Sequence, residues 1–284
     1  MIRTAAALIA TLLILPGAWA QDDAKSDKEK AKEEAKKKDD EAKAALKAFK
    51  TAFNSGKSAD DKIEAIQKLE SADPHPLIRA ELGNILASNP SIDVRIAAAS
   101  ALGRFKKDAG AAEILLNNAK AQKDEGLKRK CLQKYGVVAP FGKSTLLKPF
   151  FNDENNVIVR EAIEALETIN SIRMLQPLVD LLGELESIRE DKGDQGGGQP
   201  LPGVPQGDNT NNQKVKRKKE LTDPVRKAIN TLWKKYDSRT KLNNYTDANS
   251  QLARNRPHLM KIQDAEDKED KGIKDEPAAS KDMK

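Results

Sequence analysis

The sequence predicts an all-α protein built from stacked helix pairs, and three observations support this. The segment VRIAAASAL at 94–102 returns as VREAIEAL at 159–166 and as VRKAINTL at 225–232. Basic residues near the start of such helices recur at steps of 33, 33 and 32 residues, namely at Lys62, Arg95, Lys128 and Arg160. No stretch alternates apolar with polar residues as a half-buried strand does. A helical unit repeating at this period is typical of an α-solenoid, in which each unit buries its apolar face against its neighbours.

One step of the repeat contains an insertion. Arg226 lies 66 residues beyond Arg160, which is twice the usual step. Residues 191–219 are rich in Gly, Pro, Gln and Asn and show no apolar periodicity. Because such a composition buries too little apolar surface to offset the entropy of ordering, we expect a disordered insertion there.

Capping residues, prolines and apolar spacing place the helices in order along the chain. Residues 21–41 are almost wholly Asp, Glu, Lys and Ala, so we expect a disordered charged tail that is solvated and at most partly helical. An amphipathic helix at 42–54 then caps the repeats. Asp93 caps one of the remaining helices, and Pro224 lies in the first turn of the last one. Two of these helices begin near Ser58 and Pro76, and the others are Val94–Phe105, Ile114–Lys123, Gly126–Val138, Ser144–Phe151, Asn155–Ile169, Ile172–Arg189 and Leu221–Tyr236. We expect an irregular cap or short helix up to 261 and a disordered charged tail over 262–284.

The repeated segments resemble the HEAT-repeat family, including the short bacterial HEAT-like units similar to those of phycobiliprotein lyases. The resemblance rests on Asp93-Val94-Arg95, Ala98 and Ala101-Leu102-Gly103 and on the two VRxAIxxL segments, and it covers about residues 58–236. It implies a right-handed α-solenoid of four to five helix pairs whose second helices line a concave surface. It implies no particular function, because members of the family bind very different partners.

The first twenty residues indicate export. A basic Arg3 precedes an apolar run from Ala5 to Leu15, a Pro16-Gly17 break and small residues at 18 and 20. These are the parts of a secretory signal peptide. The run is shorter than the ~20 residues that cross a bilayer. We therefore expect an exported protein that begins at Gln21, is periplasmic or secreted, and has no transmembrane segment after cleavage.

The sequence offers no catalytic constellation. Its two histidines, His75 and His258, lie apart, and no His/Cys/Asp cluster has metal-ligand spacing. The single cysteine, Cys131, excludes an intramolecular disulfide, and its place on a repeat helix favours a buried core residue. We expect no enzymatic activity, no cofactor and no metal. A lyase, by analogy with HEAT-like lyases, has only the fold in its favour.

Positive charge is concentrated near the C-terminal end of the repeats. The chain carries a net charge of +6, while residues 214–261 hold 14 Lys and Arg against 4 Asp and Glu. The candidate anion-binding residues are Lys214, Lys216, Arg217, Lys218 and Lys219. Alternatively, this stretch is merely solvated and offset by the acidic tail. Export disfavours nucleic acid as the partner, so an acidic polysaccharide, an anionic lipid surface or an acidic protein fits better.

Two functional hypotheses follow. In the first, the protein is a non-enzymatic scaffold that binds another protein on its concave second helices. The candidate contact residues are Asn117, Asn118, Lys120, Arg173, Gln176 and Asp180. In the second, it binds a polyanion or the cell-envelope surface through residues 214–261. The repeated basic residues, which include Arg226, are interpreted as fixing the register between repeats, with an anion-binding ladder as the alternative.

Overall fold

A computed structural model describes residues 19–189 and 209–272, with the backbone alone for 19–28 and 209–210. Within these ranges the protein is all-helical and contains no strand. The predicted signal peptide up to residue 18, residues 190–208 of the predicted insertion and residues 273–284 of the predicted tail lie outside the described residues.

Ten α-helices and two 3₁₀ segments follow one another in the described part of the chain. The α-helices are α1 (Trp19–Ser55), α2 (Ala59–Glu70), α3 (Pro76–Ser88), α4 (Ile92–Leu102), α5 (Ala109–Ala121), α6 (Glu125–Val138), α7 (Asn156–Ile169), α8 (Leu175–Ser187), α9 (Asn209–Trp233) and α10 (Tyr245–Asp270). The 3₁₀ segments are Phe141–Asn152 and Ile172–Met174. None of these helices is long and apolar enough to cross a membrane.

Side-chain caps begin most of the helices. Ser58 and Asp61 form a capping box at the start of α2, each side chain accepting from the other's backbone N–H. Asp108 and Asp124 accept from the third residue beyond them, at the starts of α5 and α6. The cap of α4 is Ser91 rather than the predicted Asp93, which lies in the first turn.

The helices form two rows. In the first row α2, α4, α6, α7 and α9 contact one another in that order. In the second row α1 contacts α3 and α3 contacts α5, and further along the two 3₁₀ segments contact each other and the second contacts α8. Helix α10 packs on this part of the second row, against α8 and both 3₁₀ segments. A continuous apolar core lies between the rows, with buried residues from every first-row helix, including Ile66, Leu102, Leu132, Leu166 and Trp233.

The helix predicted at Ser144–Phe151 is instead the 3₁₀ segment Phe141–Asn152. Pro149 lacks the N–H that a continuing α-helix needs, and Pro140 restricts the preceding residue to extended backbone. Leu147, Phe150 and Phe151 are nevertheless buried, so the segment packs against α7 in the place of a second-row helix.

The charged N-terminal segment is helical throughout its described length. Helix α1 runs without a break from Trp19 into the capping helix predicted at 42–54, and residues 29–38 are all exposed. Ala, Lys and Glu favour the helix by themselves, and pairs such as Lys37–Glu41 add a small stabilisation. Among the described side chains of α1, at 29–55, only Ala42 and Phe49 are buried, where α1 packs against α2.

Two predicted disorder boundaries are wrong. Helix α9 begins at Asn209, so residues 209–219 of the predicted insertion are helical and Pro224 lies inside a longer helix. In place of the irregular cap or short helix predicted up to 261, the long helix α10 begins at Tyr245 and runs to Asp270, so the tail predicted from 262 is ordered through 270. Both extensions are held by polar contacts with residues distant in sequence, which apolar periodicity does not reveal.

Candidate partner-binding surface

The candidate residues on α5 lie on an open surface of the second row. Asn117 and Lys120 are exposed together with Glu113, and we call these three residues the α5 face. Asn118 is half-buried and donates to the carbonyl oxygen of Ile114 at 2.9 Å. The α5 face is therefore polar and free for contact, whereas Asn118 is engaged within its own helix.

The candidate residues near α8 have a different environment. Arg173 forms an ion pair with Asp267 of α10, and only 18% of its side chain is exposed. Gln176 donates to Asp180 at 2.8 Å, and both residues are exposed. The part of the second row around Arg173 is thus already covered by the C-terminal helix of the same chain.

Helix α10 ends in an acidic turn, Glu266–Asp270, that binds two helix starts. Glu266 is buried, and its carboxylate accepts from the Ser171 hydroxyl at 2.7 Å, the Ile172 N–H at 2.9 Å and the Lys235 ammonium at 2.7 Å. Asp270 accepts from the N–H groups of Phe141 and Gly142 at 2.9 and 2.6 Å. These carboxylates therefore satisfy backbone donors that a helix start leaves without partners.

Cations complete this docking site, which we define as Lys107, Phe141, Gly142, Ser171–Arg173 and Lys235. Lys107 pairs with Glu269, as Arg173 does with Asp267. The ammonium groups of Lys107 and Lys235 also lie 4.7 and 4.5 Å from the centre of the Phe141 ring, within cation–π range. The site presents hydrogen-bond donors and positive charge to a run of carboxylates.

Most of the repeated basic residues contact a neighbouring element. Arg95 donates to the Leu86 carbonyl at 2.6 Å, and Lys128 pairs with Asp153. Arg226 lies 3.5 Å from Glu186 and 3.0 Å from Asp223, and the Lys62 ammonium lies 5.5 Å from the centre of the Phe53 ring. Arg160 is exposed and has no hydrogen-bond or ion-pair partner among the residues that the structure describes. Four of the five side chains thus make the contacts that a register role requires.

The predicted anion-binding cluster is divided by the structure. Arg217 donates to the carbonyl oxygens of Phe151 and Asp153, and Lys218 donates to the Ile188 carbonyl at 2.8 Å. These two side chains anchor the start of α9 to the preceding elements. Lys214, Lys216 and Lys219 are exposed, but only Lys216 and Lys219 share a face of the helix, and Lys214 lies on another side. A concentrated anion site of five residues is therefore not formed.

The histidines and the cysteine occupy structural positions. His75 caps α3 by accepting from the Leu77 N–H at 3.3 Å, and His258 lies beside the Tyr236 ring. Cys131 is fully buried, and its burial raises the pKa of the thiol to about 12. Among the described residues no group of His, Cys, Asp and Glu could hold a metal ion.

Burial makes Cys131 a reporter of unfolding. We expect iodoacetamide at about pH 8 to alkylate native protein at least roughly a thousandfold more slowly than denatured protein, because the reactive thiolate is scarce at a pKa this high and access is blocked. Mass spectrometry of the Cys131 peptide measures both rates. Equal rates in native and denatured protein would contradict the burial of this helix face.

Comparisons with protein families, with curated proteins and with solved structures gave no match to this chain.

Proposed function

We propose that this protein is an exported, non-enzymatic scaffold, a right-handed α-solenoid of HEAT-like helix pairs that binds another polypeptide on its second row. The ordered contacts within the first row support the solenoid, and the contacts of the repeated basic residues support its register.

The packing of helix α10 on the second row is the observation that best supports a role in binding a polypeptide. The helix packs on α8 and on both 3₁₀ segments, so the second row already accepts a helix laid on it. The end of α10 reaches Lys107, which directly precedes the Asp108 cap of α5. The α5 face lies on the helix that begins directly after this contact, and all three of its residues are exposed and available to a partner.

Charge-changing variants on the two rows test this role. We expect Asn117→Arg combined with Lys120→Glu to reduce partner capture from the exported fraction at least about tenfold, because buried like or unpaired charges at an interface are unfavourable. Arg160→Glu, on the exposed side of first-row helix α7, is the matched control and should capture as much as the wild type. Equal capture by all three proteins would contradict binding at the α5 face.

A second candidate function is supported by the exposure of Lys214, Lys216 and Lys219. If these lysines hold the protein on an anionic surface, binding to vesicles containing anionic lipid should fall steeply as salt rises. Replacing the three lysines with Glu should then abolish vesicle binding and leave capture through the α5 face unchanged. Vesicle binding that persists at high salt and after the three replacements would exclude this function for the three lysines.

A further inference from the structure

We propose that the acidic turn of α10 is a displaceable internal ligand, and that the docking site beneath it binds the acidic end of a helix from a partner protein. This inference deepens the proposed function and rests on it for the partner being a polypeptide. It specifies that the polypeptide ends in an acidic helix, and that this helix binds the second row at the docking site in addition to the α5 face.

The docking site selects carboxylates at a definite spacing. Glu266, Asp267, Glu269 and Asp270 are the bound groups, at relative positions 1, 2, 4 and 5 of a helix. Glu266 and Asp270 meet backbone N–H groups of the two 3₁₀ segments, and Asp267 and Glu269 meet Arg173 and Lys107. A helix with the same four carboxylates can make the same contacts from a second chain.

The acidic turn is held by polar contacts more than by apolar packing. Between Leu252 and Glu266 the described helix has no buried residue, although Leu259 and Ile262 lie partly against the core. The Lys107–Glu269 pair is about half exposed on both sides. Exposed ion pairs are screened by salt and can be replaced by other ions of the same sign, so this end of α10 is the part that a competitor can displace.

The carboxylates of the acidic turn also destabilise the C-terminal end of α10. Asp267, Glu269 and Asp270 lie in the last turn of α10, where the helix dipole already concentrates negative charge. Lys268 in the same turn offsets part of this charge, and the donors and cations of the docking site offset more of it. When a competing acidic helix takes those donors, the released end of α10 has little to keep it helical.

Release of the acidic turn would change the surface available to a partner. Arg173 would lose Asp267 and become accessible, and Lys107, next to the start of α5, would lose Glu269. The partner surface would then extend from the α5 face to the start of α8. In the closed form the acidic turn therefore leaves the α5 face open and limits binding at the docking site to polypeptides that can replace it.

Full-length protein with a neutralised turn provides the test. The variant Glu266→Gln, Asp267→Asn, Glu269→Gln and Asp270→Asn keeps side-chain volume and removes the charges that bind the site. The probe is a fluorescent peptide of residues 256–272 of this chain. We expect it to bind the variant at least about tenfold more tightly than the wild type, whose site is filled, and to lose affinity as salt rises.

Two controls define the outcome. A peptide carrying the same four amide replacements should bind neither protein. Adding Lys107→Asn to the neutralised variant should weaken peptide binding severalfold, and Asn tolerates the left-handed backbone of residue 107, whose φ is 55°. Equal peptide affinity for wild type and a folded neutralised variant would overturn the proposal.

If the neutralised variant does not fold, hydrogen exchange of the wild type tests whether the acidic turn can be displaced. The backbone amides of residues 262–270 should exchange faster at high salt while those of α8 change little, because salt weakens the ionic contacts of the acidic turn whereas α8 is held mainly by buried apolar side chains. Exchange at 262–270 that does not depend on salt would overturn the proposal. Both measurements use only this chain, so their failure is distinguishable from failure to capture a partner at the α5 face.

Discussion

The Ala98→Asp and Ala162→Asp variants should each lose roughly 3–5 kcal/mol of the free energy of unfolding, because a carboxylate would be buried without a partner. Ala98 of α4 and Ala162 of α7 are both fully buried within the first row. Thermal melts followed by circular dichroism measure the loss. Ala80→Asp, at an exposed position of α3, is the control and should melt within a few degrees of the wild type. A wild-type melt for both core variants would contradict the assigned helix faces.

Gly136→Ala and Gly126→Ala should have opposite effects on stability, although both lie on α6. A Cβ atom at residue 136 would stand 2.8 Å from the Cα and 3.0 Å from the carbonyl oxygen of Ala165, so α6 and α7 would have to separate. We expect a loss of about 1–3 kcal/mol from this overpacking.

At residue 126 a Cβ would meet only the Asp124 carboxylate, at 3.3 Å. Alanine there should stabilise the helix by up to about 1 kcal/mol, because glycine is the poorer helix former. Urea unfolding of the two variants measures both changes. Stabilisation by both substitutions would show that α6 and α7 do not approach each other at Gly136 and Ala165.

The first-row helices were predictable because their signals are local. Small residues recur at the positions that α4, α7 and α9 bury, and Ala98, Ala162 and Ala228 are all inaccessible to solvent. Periodicity of this kind depends on residues three and four apart, so the sequence alone contains it. The exposure of Asn117 and Lys120 was expected from their place on a second helix, and their role in binding stays a prediction.

The contacts of the acidic turn were not predictable in this way. Glu266 satisfies a donor at Ile172, 94 residues earlier in the chain, and Asp270 satisfies one at Phe141, 129 residues earlier. The charged segment from residue 262 has the composition of a solvated tail, and only the fold brings its carboxylates to the starts of the 3₁₀ segments. Arg217 and Lys218 were assigned to an anion site for a similar reason. The sequence does not show that their side chains donate to the carbonyl oxygens of Asp153 and Ile188.

Site-specific photocrosslinking tests the binding role of the second row most directly. A photoreactive amino acid would replace Asn117 on the α5 face or Arg160 on the exposed side of α7, with expression in the native compartment. The proposed scaffold predicts a discrete crosslinked polypeptide from position 117 and none from position 160. Adducts of the same kind and yield from both positions, or from position 160 alone, would contradict binding on the second row.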